Sequence, residues 1–498
     1  MGHVYCNLGK LEKAIQCFNK ALDIEPDNMI SWFGRCFSKI PVLYETAKEI
    51  PWRRDQYRMS MLKLKKDLLS GAKGHMDAAA EAVGSQQPFL LAYQGYNNRE
   101  LQRIYGDLVC KIQAKKYPQW SKIRPMQSIT ADGKIRVGIV SGFFYSHSNW
   151  KIPIQGWVEQ LDRQRFSIYG YYTAKKKDPI FEKARRSFDR FRDNSFSLER
   201  LCETITNDRL HVLIFPEIGM NPMTARLAAL RLAPIQCASW GHPDTSGLPT
   251  IDYYLSSDLM EPPGADSHYT ERLIRLPNLS IYYKPQEIQP APLDRSDLDL
   301  PLGAALYFCP QSLFKYLPQY DQVFPRIAKQ VDHCRFLFIK HPSSSHLNER
   351  FVARLRKAFA EYGLCENDYV SLLPRLNSEQ YQAVNRLCDV FLDSLGWSGC
   401  NTTMEAIAND LPVVTMPGDL MRGRHSHAIM TMMGVTETIA GALDEYIDLA
   451  VRLGRESQFR SEIKEKISRN KHRVYQDTSC IKGLEAFLEK KVVASLQN

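Results

Sequence analysis

The hydrophobic pattern of this chain changes period near residue 134. From there on, short apolar runs alternate with stretches of helical spacing. "KIRVGIVS", "FSIYGYY", "HVLIFPE", "IDYYLSS" and "ERLIRLP" form one group of predicted strands; "ALYFCPQ", "RFLFIK", "YVSLLP", "VFLDS" and "PVVTMPG" form a second. Short apolar runs separated by helices predict parallel sheets covered on both faces, and two such groups predict an α/β chain of two doubly wound, Rossmann-like halves. The Pro-rich, aperiodic "YKPQEIQPAPLDRSDLDLP" between them reads as the joint. Before residue 130 the spacing is helical, with "SMLKLKKDLL" and "RELQRIYGDLVCKIQAK" as amphipathic examples. "YPQWSKIRPMQSITADG" breaks that period with two Pro and a Gly and reads as a linker.

Within the first 30 residues, Tyr5, Leu8, Gly9, Leu11, Ala14, Phe18, Ala21 and Pro26 follow the tetratricopeptide spacing. Small residues there let two antiparallel helices touch, and the Pro closes the second. One repeat cannot bury its own face, so either the array is longer or the hairpin packs on the helices that follow. The predicted domains are therefore 1–130, helical, with the repeat hairpin at about 1–30; 131–290, the first Rossmann-like half; and 291–498, the second, its final helices packing back.

Composition narrows the class. Of 498 residues, 44% are hydrophobic and 24% charged, and no run approaches the ~20 apolar residues of a membrane span. The start, "MGHVYCNLGKLEKAIQCF", has neither a basic nor an apolar leader region, and Gly2 lacks a myristoylation context. Twelve cysteines occur singly, without a C-x-x-C, as in a reduced cytoplasmic protein. The net charge of +10 gathers in "WRRDQYRMSMLKLKK", "KIQAKKYPQWSKIRP" and "KKKDPIFEKARRSFDRFR", read as solvated helix faces. No reader motif or aromatic platform accompanies them, so no nucleic-acid partner is expected; an acidic ligand such as a sugar nucleotide suits the same charge.

Ligands of open α/β sheets sit beyond the C-terminal strand ends. "LGWSGCNTTMEAIANDLPVVTMPG" lies there, after "DVFLDS". Gly399 permits a close backbone approach, Thr402 and Thr403 add hydroxyls, and the first turn of the helix offers free N–H groups, a combination suited to a pyrophosphate. Glu405 is then placed to accept from ribose hydroxyls. The alternative is an ordinary capping box, with Asn401 or Thr402 as N-cap and Glu405 as its partner. "SGFFYSHSNW" and "SWGHPDTSGLPTIDYY" bring further polar loops to the same side, and "CPQSLFKYLP" puts Lys315 after the first strand of the second half.

Together these segments resemble the tetratricopeptide-linked O-GlcNAc transferases and their SPINDLY-like and bacterial relatives. "LAPIQCASWGHPDTSGLPTIDYYLSSDLMEPPGADSHYTERLIRLP" is the most specific stretch, joined by "PVVTMPGDLMRGR" and "GCNTTME", and the likeness covers roughly residues 134–490. It implies a GT-B fold and an inverting glycosyltransferase without metal or other cofactor, with a nucleotide-sugar donor such as a UDP-sugar and a protein or peptide acceptor at Ser, Thr or Asn. By the same resemblance Lys315 neutralises the leaving diphosphate, and His147 is the base or positions the acceptor. His211 is a second cleft histidine or, as a strand residue, a satisfied core group. Gly399, Asn401, Thr402 and Thr403 form the phosphate turn, with Glu405 at the ribose. Arg375 and Leu376 read the nucleobase through backbone atoms; Tyr381 stacks on it or packs its helix.

The chain departs from the animal-type pattern at "GCNTT", which lacks a His before the two Thr, at Ser378 in place of a basic residue, and at Glu217 in "FPEIGM". "FLFIKHPSSSH" and "PEIGM" lean towards the bacterial protein glycosyltransferases, and the donor sugar is left open. Asp297 and Asp299 of "DLDL" fall in the joint rather than at a strand end, and His341, His346, His425 and His427 lack an acidic third ligand, so no metal site is expected. Two other functions fit the same residues: transfer to a small-molecule or glycan acceptor, and an inactive scaffold whose repeat hairpin binds proteins.

Overall fold

The computed structural model describes residues 1–70, 73–129, 132–193 and 197–497. Two parallel sheets organise it. The first contains β1 (Ile135–Ser141), β2 (Phe166–Tyr172), β3 (Arg190–Arg192), β4 (Val212–Phe215), β5 (Ile235–Ser239), β6 (Tyr253–Ser257) and β7 (Arg272–Leu276), in the order β3-β2-β1-β4-β5-β6-β7. The second contains β8 (Ala305–Cys309), β9 (Cys334–Ile339), β10 (Val370–Leu373), β11 (Val390–Leu392) and β12 (Val413–Val414), in the order β10-β9-β8-β11-β12. In each sheet the order reverses beside the first strand, between β1 and β4 and between β8 and β11. Those are the switch points at which doubly wound sheets open a crevice.

Burial explains the apolar runs. Every residue of β1 is buried, because helices cover both faces of the sheet and leave no polar side to alternate with. Two strands lay outside the sequence reading. β3 has three residues and two arginines at the sheet edge. β5, "IQCAS", carries a buried Gln236 whose amide is satisfied internally, accepting from Leu232 N at 2.8 Å and donating to Leu230 O and Thr250 O, both at 2.9 Å. A polar residue that the fold pairs is indistinguishable in sequence from one facing water.

The helical region comprises α1 (Gly2–Asn7), α2 (Leu11–Ile24), α3 (Met29–Phe37), α4 (Glu49–Ser70), α5 (Lys73–Ala82) and α6 (Arg99–Lys116). The repeat hairpin does not stand alone: Phe18 of α2 packs between Gly2 and Gly34, and Ser344 of the second half donates to Leu8 O at 3.0 Å. α6 lies so close to the loop after β5 that a Cβ on Gly106 would overlap the Gly247 backbone. The start of the segment read as a linker is packed, with Trp120 buried and its carbonyl accepting from Arg231 N at 2.7 Å; Thr130 and Ala131 of that segment lie outside the described residues. The last helix, Ser479–Leu496, returns to the first half, where Leu484 and Leu488 join its core and Glu485 meets Arg165 at 3.2 Å.

Buried polar contacts join all three regions. Arg54 of α4 donates to Gln94 and Asn98, each at 2.6 Å, Asn98 donates to Asp244 at 2.8 Å, and Asp244 lies 3.5 Å from Arg422. Arg422 in turn donates to Tyr96 O at 2.6 Å. Just before α6, Phe89 stacks on His242 of the first half with centroids 4.9 Å apart, and Tyr93 meets Trp397 of the second at 4.2 Å. The helical region thereby bridges the two halves.

Candidate functional site

The loops after β1, β5, β8, β11 and β12 converge on a cleft of about 770 Å³, lined by Asn149, Trp240, Lys315, Trp397, Thr402 and His425 among others. Its second-half wall is built around Gly399. Asp393, buried at the end of β11, accepts from Gly399 N at 2.8 Å, Ser398 Oγ at 2.6 Å and Thr415 Oγ1 at 2.8 Å. Burial raises its pKa to about 6 against these hydrogen bonds. The turn is thus tied to two strand ends. A Cβ on Gly399 would lie 2.6 Å from Gln311 Nε2 and 2.9 Å from Thr403 Oγ1, and closer still to Thr402 Oγ1, so glycine is required there for space.

The helix Asn401–Ala408 starts at the cleft with Cys400 as N-cap and no side-chain cap. The capping box is therefore not formed, and the first N–H groups have no side-chain acceptor, which is the condition for holding an anion. Lys315 stands opposite. Its Nζ donates to Gln311 Oε1 at 2.9 Å and lies 5.0 Å from the Trp397 ring, while Gln311 Nε2 donates to Thr402 Oγ1 at 2.6 Å. Lysine, glutamine and threonine thus form one oriented chain. Burial lowers the Lys315 pKa to about 8, with Asp393 and Cys400 opposing.

Thr402 lines the cleft, whereas Thr403 turns inward: it is fully buried and donates to Gly399 O at 2.8 Å. Asn401 also lines the cleft, and its Oδ1 meets no donor among the described residues. Glu405 is paired across the crevice with Lys151, Nζ to Oε1 3.5 Å, and only 18% of its side chain is exposed. Lys151 belongs to a π-helical turn, Trp150–Ile154, of the first half. Tyr381 packs against Phe308 with centroids 5.4 Å apart, as its helix-packing reading requires. Arg375 is exposed and Leu376 half-buried in the loop after β10, outside the cleft lining given above.

The two catalytic histidines expected from sequence separate. His147 sits in the loop after β1, its ring 4.4 Å from that of Phe143, with Nδ1 accepting from Asn149 N at 3.1 Å. Burial, reinforced by Lys176, lowers its pKa to about 4, so the ring is neutral with its proton on Nε2. His211 is a correction. It precedes β4, at the end of the sheet away from the crevice, is fully buried, and accepts from Arg136 N at 2.8 Å. It is a core residue remote from the cleft, its Nδ1 partnered and its Nε2 without a hydrogen-bond partner among the described residues.

Sequence reasoning missed two groups. His425, weighed only as a metal ligand, lines the cleft and is 3% exposed. Its Nδ1 lies 3.1 Å from Ser398 O, which makes Nδ1 the donor and leaves Nε2 a buried acceptor without a partner among the described residues. Burial lowers its pKa to about 4. Lys151 was one cation among many in the sequence. No local spacing marks either residue, because their neighbours in space are remote in sequence.

Residues 107–283 and 285–479 match Glycosyl transferase family 41, and residues 1–28 match the tetratricopeptide repeat. This chain belongs to glycosyl transferase family 41. Its family 41 relatives include a SPINDLY protein of Solanum lycopersicum, a probable UDP-N-acetylglucosamine–peptide N-acetylglucosaminyltransferase, 27% identical over 74% of this chain and 40% of that protein. Another relative is the UDP-glucose:protein N-beta-glucosyltransferase of Actinobacillus pleuropneumoniae, 25% identical over 55% of this chain and 43% of that one. The family 41 chain thus spans less than half the length of these curated relatives. An O-GlcNAc transferase mutant of Thermobaculum terrenum shares the fold, with a TM-score of 0.68 at 20% identity, covering 100% of this chain and 96% of that structure. Two Rossmann-like halves behind a helical repeat region make this family 41 member a GT-B protein. Among the described residues no helix is long and apolar enough to cross a membrane.

Proposed function

We propose that this chain is a cytoplasmic glycosyltransferase that moves a sugar from a UDP-sugar to a Ser, Thr or Asn side chain of a protein, with inversion and without a metal. The observation that carries the reading is the Lys315–Gln311–Thr402 chain facing an uncapped helix start at the switch point of the second sheet. A nucleoside diphosphate leaving group needs charge compensation where its bond breaks, and a fixed ammonium with helix N–H groups supplies it. The acceptor oxygen or nitrogen attacks the anomeric carbon from the side of the first half as the bond to the β-phosphate oxygen breaks, and the acceptor's proton leaves to the departing diphosphate or to solvent. His147, a neutral ring with its proton on Nε2, is suited to donate to the acceptor and position it. The unpartnered acceptors Asn401 Oδ1 and His425 Nε2 are suited to sugar hydroxyls.

Calorimetric titration of UDP, GDP and UMP in EDTA tests the donor half of the proposal. UDP is expected to bind, UMP more weakly, and GDP not to compete. Tight GDP binding would move the donor to a GDP-sugar, and dependence on added metal would overturn the metal-free reading. Incubation with labelled UDP-GlcNAc or UDP-glucose and protein acceptors then tests transfer; label confined to a small-molecule product would sink the protein acceptor.

Lys151 provides a further prediction. Its removal leaves the Glu405 carboxylate uncompensated beside the proposed diphosphate site. Lys151→Ala is expected to weaken UDP binding by roughly 3- to 10-fold, and by less in a Glu405→Gln background, because the repulsion acts through that carboxylate. Equal losses in both backgrounds would show that the pair does not act through charge.

A further inference from the structure

α4 is apolar on two opposite faces. Tyr57, Met61, Leu64 and Leu68 face inward and are buried. Trp52, Met59, Leu62 and Leu69 lie on the outer face, with 53, 59, 38 and 47% of their surfaces exposed. A surface helix ordinarily buries one stripe and leaves the other polar, so the outer stripe is surplus to the fold of this chain. With Asp55 and Lys66 it recurs at positions 52, 55, 59, 62, 66 and 69, the alternating three- and four-residue spacing of a two-helix seam.

We propose that this seam pairs with the same seam of a second copy, antiparallel, about a two-fold axis. When the seam is reversed about the point between Ser60 and Met61, Trp52 meets Leu69, Met59 meets Leu62, and Asp55 meets Lys66. Each residue thus finds a fitting partner in its own sequence, as an isologous interface demands. Local charge favours a second copy over an acidic partner. Lys65 is paired with Asp107 at 3.5 Å, Arg53 with Glu49 at 3.0 Å and Arg58, loosely, with Asp55 at 4.0 Å, so part of the basic run of α4 is compensated within the chain, and Lys63 and Lys66 are its exposed cations without an ion pair among the described residues. Lys66, exposed, is the cation the pairing uses. The seam is only about 26 Å long at 1.5 Å per residue, which makes the dimer weak and reversible.

Sedimentation of the full chain between about 1 and 200 μM tests this, a range chosen for a micromolar contact. A monomer–dimer equilibrium is expected. Asp55→Lys or Lys66→Asp alone should raise the dissociation constant at least ~10-fold by juxtaposing like charges, and the combined exchange should restore it. Leu62→Glu should leave a monomer with an unchanged circular dichroism spectrum. Both charged positions are exposed, so the exchange leaves the core untouched. A chain that stays monomeric throughout, a dimer indifferent to Leu62→Glu, or a double exchange as weak as either single one would overturn the proposal.

Discussion

Lys315→Ala is expected to lower kcat by about 100- to 1,000-fold, the cost of removing one charge-stabilising donor from a water-poor site, while UDP affinity falls far less. The asymmetry follows from where charge develops: the diphosphate gains its extra negative charge only as the glycosidic bond breaks, so an ammonium held beside it matters most in the transition state. Lys315→Arg should rescue only partly, because a planar guanidinium cannot occupy the place Gln311 and Trp397 give a compact ammonium. The pH dependence carries the same signature. With its pKa lowered to about 8 by burial, Lys315 loses its proton as pH rises through that value, so kcat/KM should fall on the alkaline side. A bound diphosphate favours the charged form, which places the limb of kcat higher. Steady-state profiles of wild type and variant check this; an alkaline limb that persists in the residual activity of Lys315→Ala would assign it to another group.

Gly399→Ala is expected to weaken UDP binding at least ~10-fold and to destabilise the chain by about 1–3 kcal/mol, the range for overpacking a filled site. No unusual backbone angle is involved; the added methyl group collides with Thr402, Thr403 and Gln311. Relief of that collision pushes Thr402 away from Gln311 and breaks the chain that orients Lys315. Titration calorimetry with UDP and thermal melts of the same preparation separate the two effects. Unchanged affinity in a folded variant would mean that the turn does not contact the phosphates.

Local pattern and tertiary structure divided the information unevenly. Gly399, Thr402 and Lys315 were legible because strand ends in parallel sheets point to one side, so a polar cluster just after an apolar run is already placed. The same rule applies to His211, which opens its apolar run rather than following it and therefore lies at the far end of the sheet. Thr403 shows the limit of the rule: adjacent hydroxyls on a helix point about 100° apart, and only the packed neighbours decide which one meets the cleft.

The sequence by itself determined the two doubly wound halves, the helical region and the polar turn that follows β11 at the cleft. These rest on periodicity and on residue types whose backbone preferences act within a few positions. Tertiary structure alone decided that the helical region bridges the two halves, through Arg54, Asn98, Asp244 and Arg422, and that Lys151 faces Glu405. It also decided that His425 keeps a free acceptor nitrogen in the cleft and that β5 forms around a buried glutamine. Each of these depends on a charge or hydrogen-bond partner far away in sequence, and a polar residue carries no local mark of the partner that folding will bring to it.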